Sequence, residues 1–489
     1  MSFSENEKTI GFALKGFSWN TAGNFTRSFA GFAINIVLAR LLGPEPFGVV
    51  ALALLVIGIG NLVIESGLGS ALVQQKEIDR QDIAFVFTLQ MAFGIGLAAI
   101  IAVLSPWLAE QFAAPTATPV LQVMALILVL QAFAQVPSAL LRRKLDFKHL
   151  QIAQITSFFI GYLGFGLPLA FAGFGVWSLV AAQITQSGLN ALMVFLFSRL
   201  SLALTLKRSR HLARFGLRIL AANIANWIIQ TIDQAIIGRR FGVKNLGFYS
   251  RAYFLNWTPV GIILTSAQAS IFSAVSRMGK GTDTIRIFRG FMSAFAIFFF
   301  PIYWLIAMES TNIIQIIYGH EWMPAAALLK PLAVAMPFLA LVGLEGPVLN
   351  GLGKPQYEMR AQWVTAFFAI LVLIIAAQFS ILATAWSIVI IYIFRLSILS
   401  VMTIKVLEIS WMQLMRPILS GLFMGILTVA VWNLSNYFFT ANITDILISF
   451  ARSMVVIFTC MLVFWIGRAW LFPEFSTLVN LIKRRQMES

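Results

Sequence analysis

Runs of about 20 apolar residues, each closed by a short polar connector, recur along the whole chain. Each run is long enough to cross a hydrocarbon core of ~30 Å at a helical rise of ~1.5 Å per residue. Lipid offers backbone groups no hydrogen-bond partner, so the runs are expected to be helices; the short alternating segments of a membrane β-barrel do not occur. Hydropathy and loop breaks predict about fourteen spans. They fall near 12–41, 47–73, 83–111, 119–141, 150–172, 175–198, 214–240, 246–274, 286–308, 325–350, 361–379, 381–404, 415–437 and 446–471. The expected fold class is an all-α polytopic membrane protein.

Composition agrees. The chain has 489 residues, 59% of them hydrophobic and only 11% charged, too little charge to cover a soluble protein of this length. The net charge of +16 would suit nucleic acid. The cations, however, sit in connectors between spans, and no soluble basic domain exists to hold a duplex, so nucleic acid is not an expected partner. The one cysteine, Cys460, lies inside an apolar run, where it has no intrachain partner and is expected to pack as a small apolar side chain. The first span is too long for the apolar region of a cleavable signal peptide.

Lys and Arg set the orientation. Connectors on one side carry groups such as Arg142-Arg143-Lys144, Lys207-Arg208 and the tail Lys483-Arg484-Arg485. The opposite connectors are nearly free of cations, apart from Arg239, Arg240 and Lys244. Positive-inside topology then places both termini in the cytoplasm. The stretch 199–214 is basic and amphipathic and is expected to lie along the membrane surface, as is the tail 472–486.

The chain repeats itself. The first span ends LARLLGPEPFG (38–48) and the seventh ends IGRRFGVKNLG (237–247), so Gly43 matches Gly242 and Gly48 matches Gly247 at an offset of 242 − 43 = 199. The same offset pairs Asn24 with Asn223 and Asn35 with Gln234. A second echo, at offset 210, pairs Pro137 with Pro347, Lys144 with Lys354 and Gln135 with Glu345. Two halves in the same membrane orientation imply parallel repeats, one of the arrangements that put a transport site at the repeat interface. The expected domains are an N-terminal six-helix lobe over 1–200, a C-terminal six-helix lobe over 201–405, and two additional helices with a cytoplasmic tail over 406–489.

LARLLGPEPFG (38–48), IDQAIIGRRFGVKNLGFYSRA (232–252) and NGLGKPQ (350–356) resemble the signature of Wzx-type polysaccharide transporters. These are flippases for lipid-linked oligosaccharides in the multidrug/oligosaccharidyl-lipid/polysaccharide exporter superfamily. The resemblance covers nearly the whole chain. It implies two six-helix lobes around a central cavity, alternating access, and a bacterial inner-membrane location. It also implies that an undecaprenyl-pyrophosphate-linked oligosaccharide repeat unit moves from the cytoplasmic to the periplasmic leaflet. Membrane lipids, and the polymerase and export machinery of polysaccharide assembly, would be its partners. No cofactor is implied beyond Na⁺ or H⁺ as a coupling ion.

Candidate site residues follow from polar groups inside apolar runs. Asn20, Asn24, Arg27, Gly31 and Asn35 are spaced 4, 3, 4 and 4 on the first span; Asn223, Asn226, Gln230 and Asp233 are spaced 3, 4 and 3 on the seventh. Such spacing puts each set on one helical face, where it would line a cavity or bond to a neighbouring helix. Arg27 near mid-span is the sharpest candidate, since guanidinium geometry suits a pyrophosphate; the alternative is a structural pair with Glu65 or Asp233. Arg251 and Arg395 are further cationic candidates. Asp233, Glu65 and Glu345 are deep carboxylates, suited either to ion coupling or to pairing with an arginine. No catalytic or metal-binding set is expected: HExxH, P-loop and nucleophile-elbow motifs are missing from the sequence. A membrane polysaccharide polymerase or ligase would need a sizeable periplasmic loop. A drug/cation antiporter of the same superfamily would favour an acidic cavity.

Overall fold

Each apolar run folds as a helix, and a glycine or a side-chain cap marks many of the ends. The computed structural model describes the backbone of residues 3–65, 69, 72–73, 75, 78–200, 205, 210–438, 445–467 and 472–476. Side chains are described for these residues except 3–22, 210–222, 436–438 and 445–449. The Asn20 side chain, the basic stretch around Lys207-Arg208 and the tail beyond Ser476 therefore lie outside what is described.

The helices of the first half are α1 (Phe3–Leu42), α2 (Pro44–Ile64), α3 (Arg80–Gln111), α4 (Thr118–Arg143), α5 (Phe147–Phe159), α6 (Leu167–Phe171), α7 (Val176–Ser198) and α8 (Arg210–Phe241). Those of the second are α9 (Val243–Met278), α10 (Thr282–Met308), α11 (Ser310–Ile317), α12 (Pro324–Gly351), α13 (Pro355–Ala376), α14 (Ile381–Leu407), α15 (Trp411–Phe438) and α16 (Asp445–Gly467). A π-helical stretch, Ile160–Gly166, joins α5 to α6, so the two make one span. Among the described residues there is no strand, and 13 helices are long and apolar enough to cross a membrane. The remaining expected span is α8, whose described part carries Asn223, Asn226, Gln230, Asp233, Arg239 and Arg240 and is too polar to meet that measure. The chain is a multi-pass membrane protein, as its hydropathy requires.

Local chemistry sets the ends. Gly43, at φ 72°, separates α1 from α2, and Gly242, at φ 85°, separates α8 from α9. Both take a left-handed conformation that a side chain would strain. Asp79 and Asp82 form a reciprocal capping box at the start of α3, and the Ser380 hydroxyl accepts from the Ala383 amide at the start of α14. Helices run on through Pro137, Pro301, Pro337 and Pro347.

The chain divides into two compact units, Met1–Ser250 and Arg251–Ser489. In the first, α4 is central: it packs against α3, α2 and α7, with Val136, Leu140, Leu141 and Leu128 buried. In the second, α12 is central, buried along almost its whole length between α10 and α14. Its Ala, Gly and Pro residues leave little side chain on much of the surface, which lets neighbours approach closely. The C-terminal pair belongs to this second unit. α15 lies along α10, where a Cβ on Gly421 would meet the Ala296 backbone at 2.7 Å. Phe472, beyond α16, is fully buried among Ile297, Met424, Val456 and Cys460. Cys460 thus packs as expected, with a weak contact to the Thr428 hydroxyl at 3.4 Å.

The turns after α4 and α12 close in the same way. The amides of Lys144, Leu145 and Asp146 bond back to Leu140, Arg142 and Leu141; those of Leu352, Gly353 and Lys354 bond back to Val348, Asn350 and Leu349 in the same pattern. Leu145 and Gly353 share a positive φ, 58° and 70°. The two turns stand 352 − 144 = 208 residues apart, close to the offset of 210 read from matching lysines.

Candidate functional site

Within the first unit, the face of α1 carrying Gly23, Arg27 and Gly31 packs along α5. A Cβ on Gly23 would run into the Gln151 side chain, and one on Gly31 would sit 3.4 Å from the Phe158 ring. Between these two close approaches, Arg27 Nη1 donates to Gln154 Oε1 at 3.1 Å. Both glycines lie in the contact with α5, and the long cationic side chain between them reaches an amide on that helix. Gln154 lies 154 − 147 = 7 residues into the span that starts at Phe147, about 10 Å along it at helical rise. Arg27 therefore sits nearer one end of that span than its middle, shallower than its place in the sequence suggests.

Among the described residues, no carboxylate forms an ion pair with Arg27. Glu65 is exposed at the C-terminal end of α2 and feels the charge of Arg142. Asp233 is buried on α8, accepting from the Tyr249 hydroxyl of α9 and, at 2.8 Å, from the Gln234 amide. Two donors satisfy that carboxylate and tie α8 to α9 beside the Gly242 corner. Neither carboxylate is the structural counter-ion that the sequence left open for Arg27.

The amide stripes behave differently from Arg27. Asn35 Nδ2 donates to the Gly31 carbonyl at 2.8 Å, one turn back on its own helix. Asn24 and Gln230 are exposed, while Asn223 and Asn226 are half-buried. Exposed amides are available to a polar ligand.

In the second unit, the polar residues converge on α12, α13 and α14. Glu345 is fully buried, accepts from the Ser400 hydroxyl at 2.8 Å through Oε1, and has no partner for Oε2 among the described residues. One turn further along α14 from Ser400, the buried Thr403 hydroxyl also has no partner among the described residues. Arg395 is buried on α14 in the electrostatic neighbourhood of Tyr392, Glu358 and Tyr253. The Glu358 carboxylate is itself held by Asn350 at 2.6 Å and Gln362 at 3.3 Å. Arg251 stacks its guanidinium over the Phe254 ring, 4.9 Å from the centroid. Arg395 thus has a carboxylate and two tyrosines in its electrostatic surroundings and Arg251 a ring beneath it, while the hydrogen bond of Arg27 goes to a neutral amide.

Sequence reading missed Gln154, Tyr249 and Ser400. The polar pair Gln151 and Gln154 in the run QIAQITSFF was visible, one turn apart in an otherwise apolar helix. Tyr249 and Ser400 carry no such signal, because hydroxyls are common in membrane helices.

Comparison with known proteins adds family evidence to this geometry. A family described as polysaccharide biosynthesis protein matches residues 37–327. The succinoglycan biosynthesis transport protein ExoT of Rhizobium meliloti (strain 1021) is 26% identical over 359 residues, spanning 72% of this chain and 72% of that protein. The lipopolysaccharide biosynthesis protein WzxC of Escherichia coli (strain K12) is 22% identical over 356 residues, spanning 72% of this chain and 70% of its own. Among solved structures, the lipid II flippase MurJ in an inward closed conformation superposes with a TM-score of 0.72 at 13% identity, covering 91% of this chain and 98% of that one. At that identity the superposition speaks for the fold alone.

Proposed function

Because the chain belongs to the polysaccharide biosynthesis protein family, we propose that it is a transporter, not an enzyme, that flips a lipid-linked oligosaccharide across the bacterial inner membrane. The substrate is an undecaprenyl-pyrophosphate-linked repeat unit, carried from the cytoplasmic to the periplasmic leaflet for assembly of capsule, exopolysaccharide or lipopolysaccharide. The names of the relatives and the MurJ-like fold support this reading. The observation that carries it is Arg27, a cation inside the span region whose hydrogen bond goes to a neutral amide. A permanent charge inside the span region is costly, though less so than the roughly 2.5–3.5 kcal/mol of the span centre. Cancelling it with a carboxylate would be the economical solution for a merely structural residue. Leaving it uncancelled suits a protein whose ligand brings the anion.

In this reading Arg27 receives the pyrophosphate. Asn20, Asn24, Asn35, Asn223, Asn226 and Gln230 meet sugar hydroxyls, and Arg251 and Arg395 support anionic groups further along the path. Ion coupling falls to Glu345. A fully buried carboxyl with one hydroxyl donor and, among the described residues, no partner for its second oxygen calls for a proton or a cation, whereas Asp233 is already satisfied by Tyr249 and Gln234. The two six-helix lobes at 1–200 and 201–405, with the pair at 406–489, are the bodies that would rock in alternating access. Both termini face the cytoplasm. Polysaccharide polymerase and export machinery take the product.

The experiment is made in cells. A deletion strain should lose the surface polysaccharide and accumulate its lipid-linked repeat unit on the cytoplasmic side, and a plasmid copy should restore export. A deletion strain that exports normally but becomes sensitive to organic cations would instead indicate a drug/cation antiporter.

A further inference from the structure

The sequence places Arg27 on the first span but says nothing of what aims it. The geometry points to Gln154 as its positioning residue: a neutral acceptor that fixes the guanidinium while leaving its charge available to the anionic end of the substrate. This inference rests on the flippase reading for the identity of that anion, and names a residue that reading does not need.

Three observations converge. First, Gln154 Oε1 accepts from Arg27 Nη1 at 3.1 Å, and no carboxylate among the described residues shares that guanidinium. A guanidinium carries five donors in a rigid fork. Spending one on an amide holds its plane and leaves an edge for a bidentate phosphate contact. Second, α1 and α5 are in contact one turn on either side of the Arg27–Gln154 pair: a Cβ on Gly23 would meet the buried Gln151 side chain and one on Gly31 the Phe158 ring. Both Gln151 and Gln154 face α1, which makes the wall opposite Arg27 polar but uncharged. Third, the position is about 10 Å into the α5 span. A pyrophosphate carried by a membrane lipid begins its passage near headgroup level, so a shallow cation can meet it before the sugars are deep in the protein.

The alternative is that the pair is only a helix-to-helix hydrogen bond. The two roles respond oppositely to one change. Gln154→Glu puts a carboxylate at 3.1 Å from the guanidinium in place of the amide. A structural arginine would welcome the ion pair, in a part-buried site where charges are weakly screened. A ligand-binding arginine would be neutralised by it.

The test uses the full chain purified in detergent and in proteoliposomes, as wild type, Gln154→Ala and Gln154→Glu. Thermal unfolding with and without inorganic pyrophosphate reads anion binding. Initial flipping rates at several concentrations of lipid-linked oligosaccharide separate KM from kcat. Gln154→Ala should raise KM by about 10–100-fold, the effect of one hydrogen bond to a charged group, with kcat less affected. Gln154→Glu should abolish protection by pyrophosphate and flip more slowly than Gln154→Ala, while unfolding at the wild-type temperature or above. The inference is overturned if Gln154→Glu flips like wild type, if it keeps its pyrophosphate protection, or if both variants lose transport only in step with stability. It is overturned as well if pyrophosphate protects no form of the protein. Failure of the wild type to move the lipid, with pyrophosphate protection intact and sensitive to Gln154→Glu, contradicts the flippase reading and leaves the positioning role standing.

Discussion

Gly48 of α2 and Gly247 of α9 cross with their backbones in contact. A Cβ on Gly48 would overlap the Val243 carbonyl, one on Gly247 would overlap the Pro44 carbonyl, and each would stand 3.1 Å from the other glycine's amide nitrogen. The relationship is reciprocal because the two corners, Gly43–Gly48 and Gly242–Gly247, are copies of one another at the offset of 199 read from the sequence. Backbone cannot move aside as a side chain can, so alanine at either position should cost about 1–3 kcal/mol through overpacking. The detergent-solubilised variants should unfold at clearly lower temperature. Gly96→Ala on α3, where nothing lies within 4 Å, is the control and should be neutral or slightly stabilising through helix propensity.

The corner is also fastened by a side chain. Tyr249→Phe removes the hydroxyl that donates to the buried Asp233, leaving the carboxylate with fewer donors. A loss of about 1–3 kcal/mol is expected. The loss should shrink in an Asp233→Asn background, where no charge needs the donor. A double-mutant cycle by thermal unfolding measures the difference, and equal losses in both backgrounds would dissociate the two residues.

The C-terminal pair should depend on the residues beyond α16 that pack against it. Phe472 fills the space between α10, α15 and α16, and Glu474 accepts from Arg289 at 2.8 Å with Arg416 at 3.6 Å. At the other end of α15, Trp432 Nε1 donates to Glu309 Oε1 at 2.6 Å. Phe472→Ala should cost about 3–5 kcal/mol as a large-to-small change at a buried site. It should raise hydrogen exchange in α15 and α16 before it does so in α12. Exchange rising uniformly over the second unit would show that the pair is not a separable layer.

Ion coupling has its own signature. Glu345→Gln removes the charge that a coupling proton or Na⁺ would neutralise while keeping the acceptor for Ser400. Flipping in this variant should no longer respond to an imposed ion gradient, although substrate still binds. A gradient response of wild-type size would move the coupling role elsewhere.

Much of this fold was legible in the sequence, for a physical reason. A backbone in lipid has few ways to satisfy itself, so apolar run length converts almost directly into helices. The positive-φ glycines at 43 and 242 announced the paired corner because no side chain tolerates that geometry easily. Legibility ends where the answer depends on how one helix lies against another. Arg27 was visible as an arginine in an apolar run. Its partner was not, because Gln154 and the nearer-looking Glu65 and Asp233 differ only in which helix face meets α1. Glu345 and Ser400, 55 residues apart, meet for the same reason.

Arg27 itself admits a graded series in export. Arg27→Ala should abolish polysaccharide output while the protein remains inserted at normal level. Arg27→Lys should keep partial activity, since charge survives but the bidentate fork is lost. Full output from Arg27→Gln would show that charge there is irrelevant.

The central claim is that the chain moves an anionic lipid-linked oligosaccharide across the bilayer. Its most direct test is transbilayer movement of a labelled undecaprenyl-pyrophosphate oligosaccharide in proteoliposomes, with and without an ion gradient. Protein-dependent movement that the gradient accelerates, and that Arg27→Ala removes, is the predicted result. No movement with several repeat-unit chemistries, together with gradient-driven efflux of a small organic cation, would contradict it.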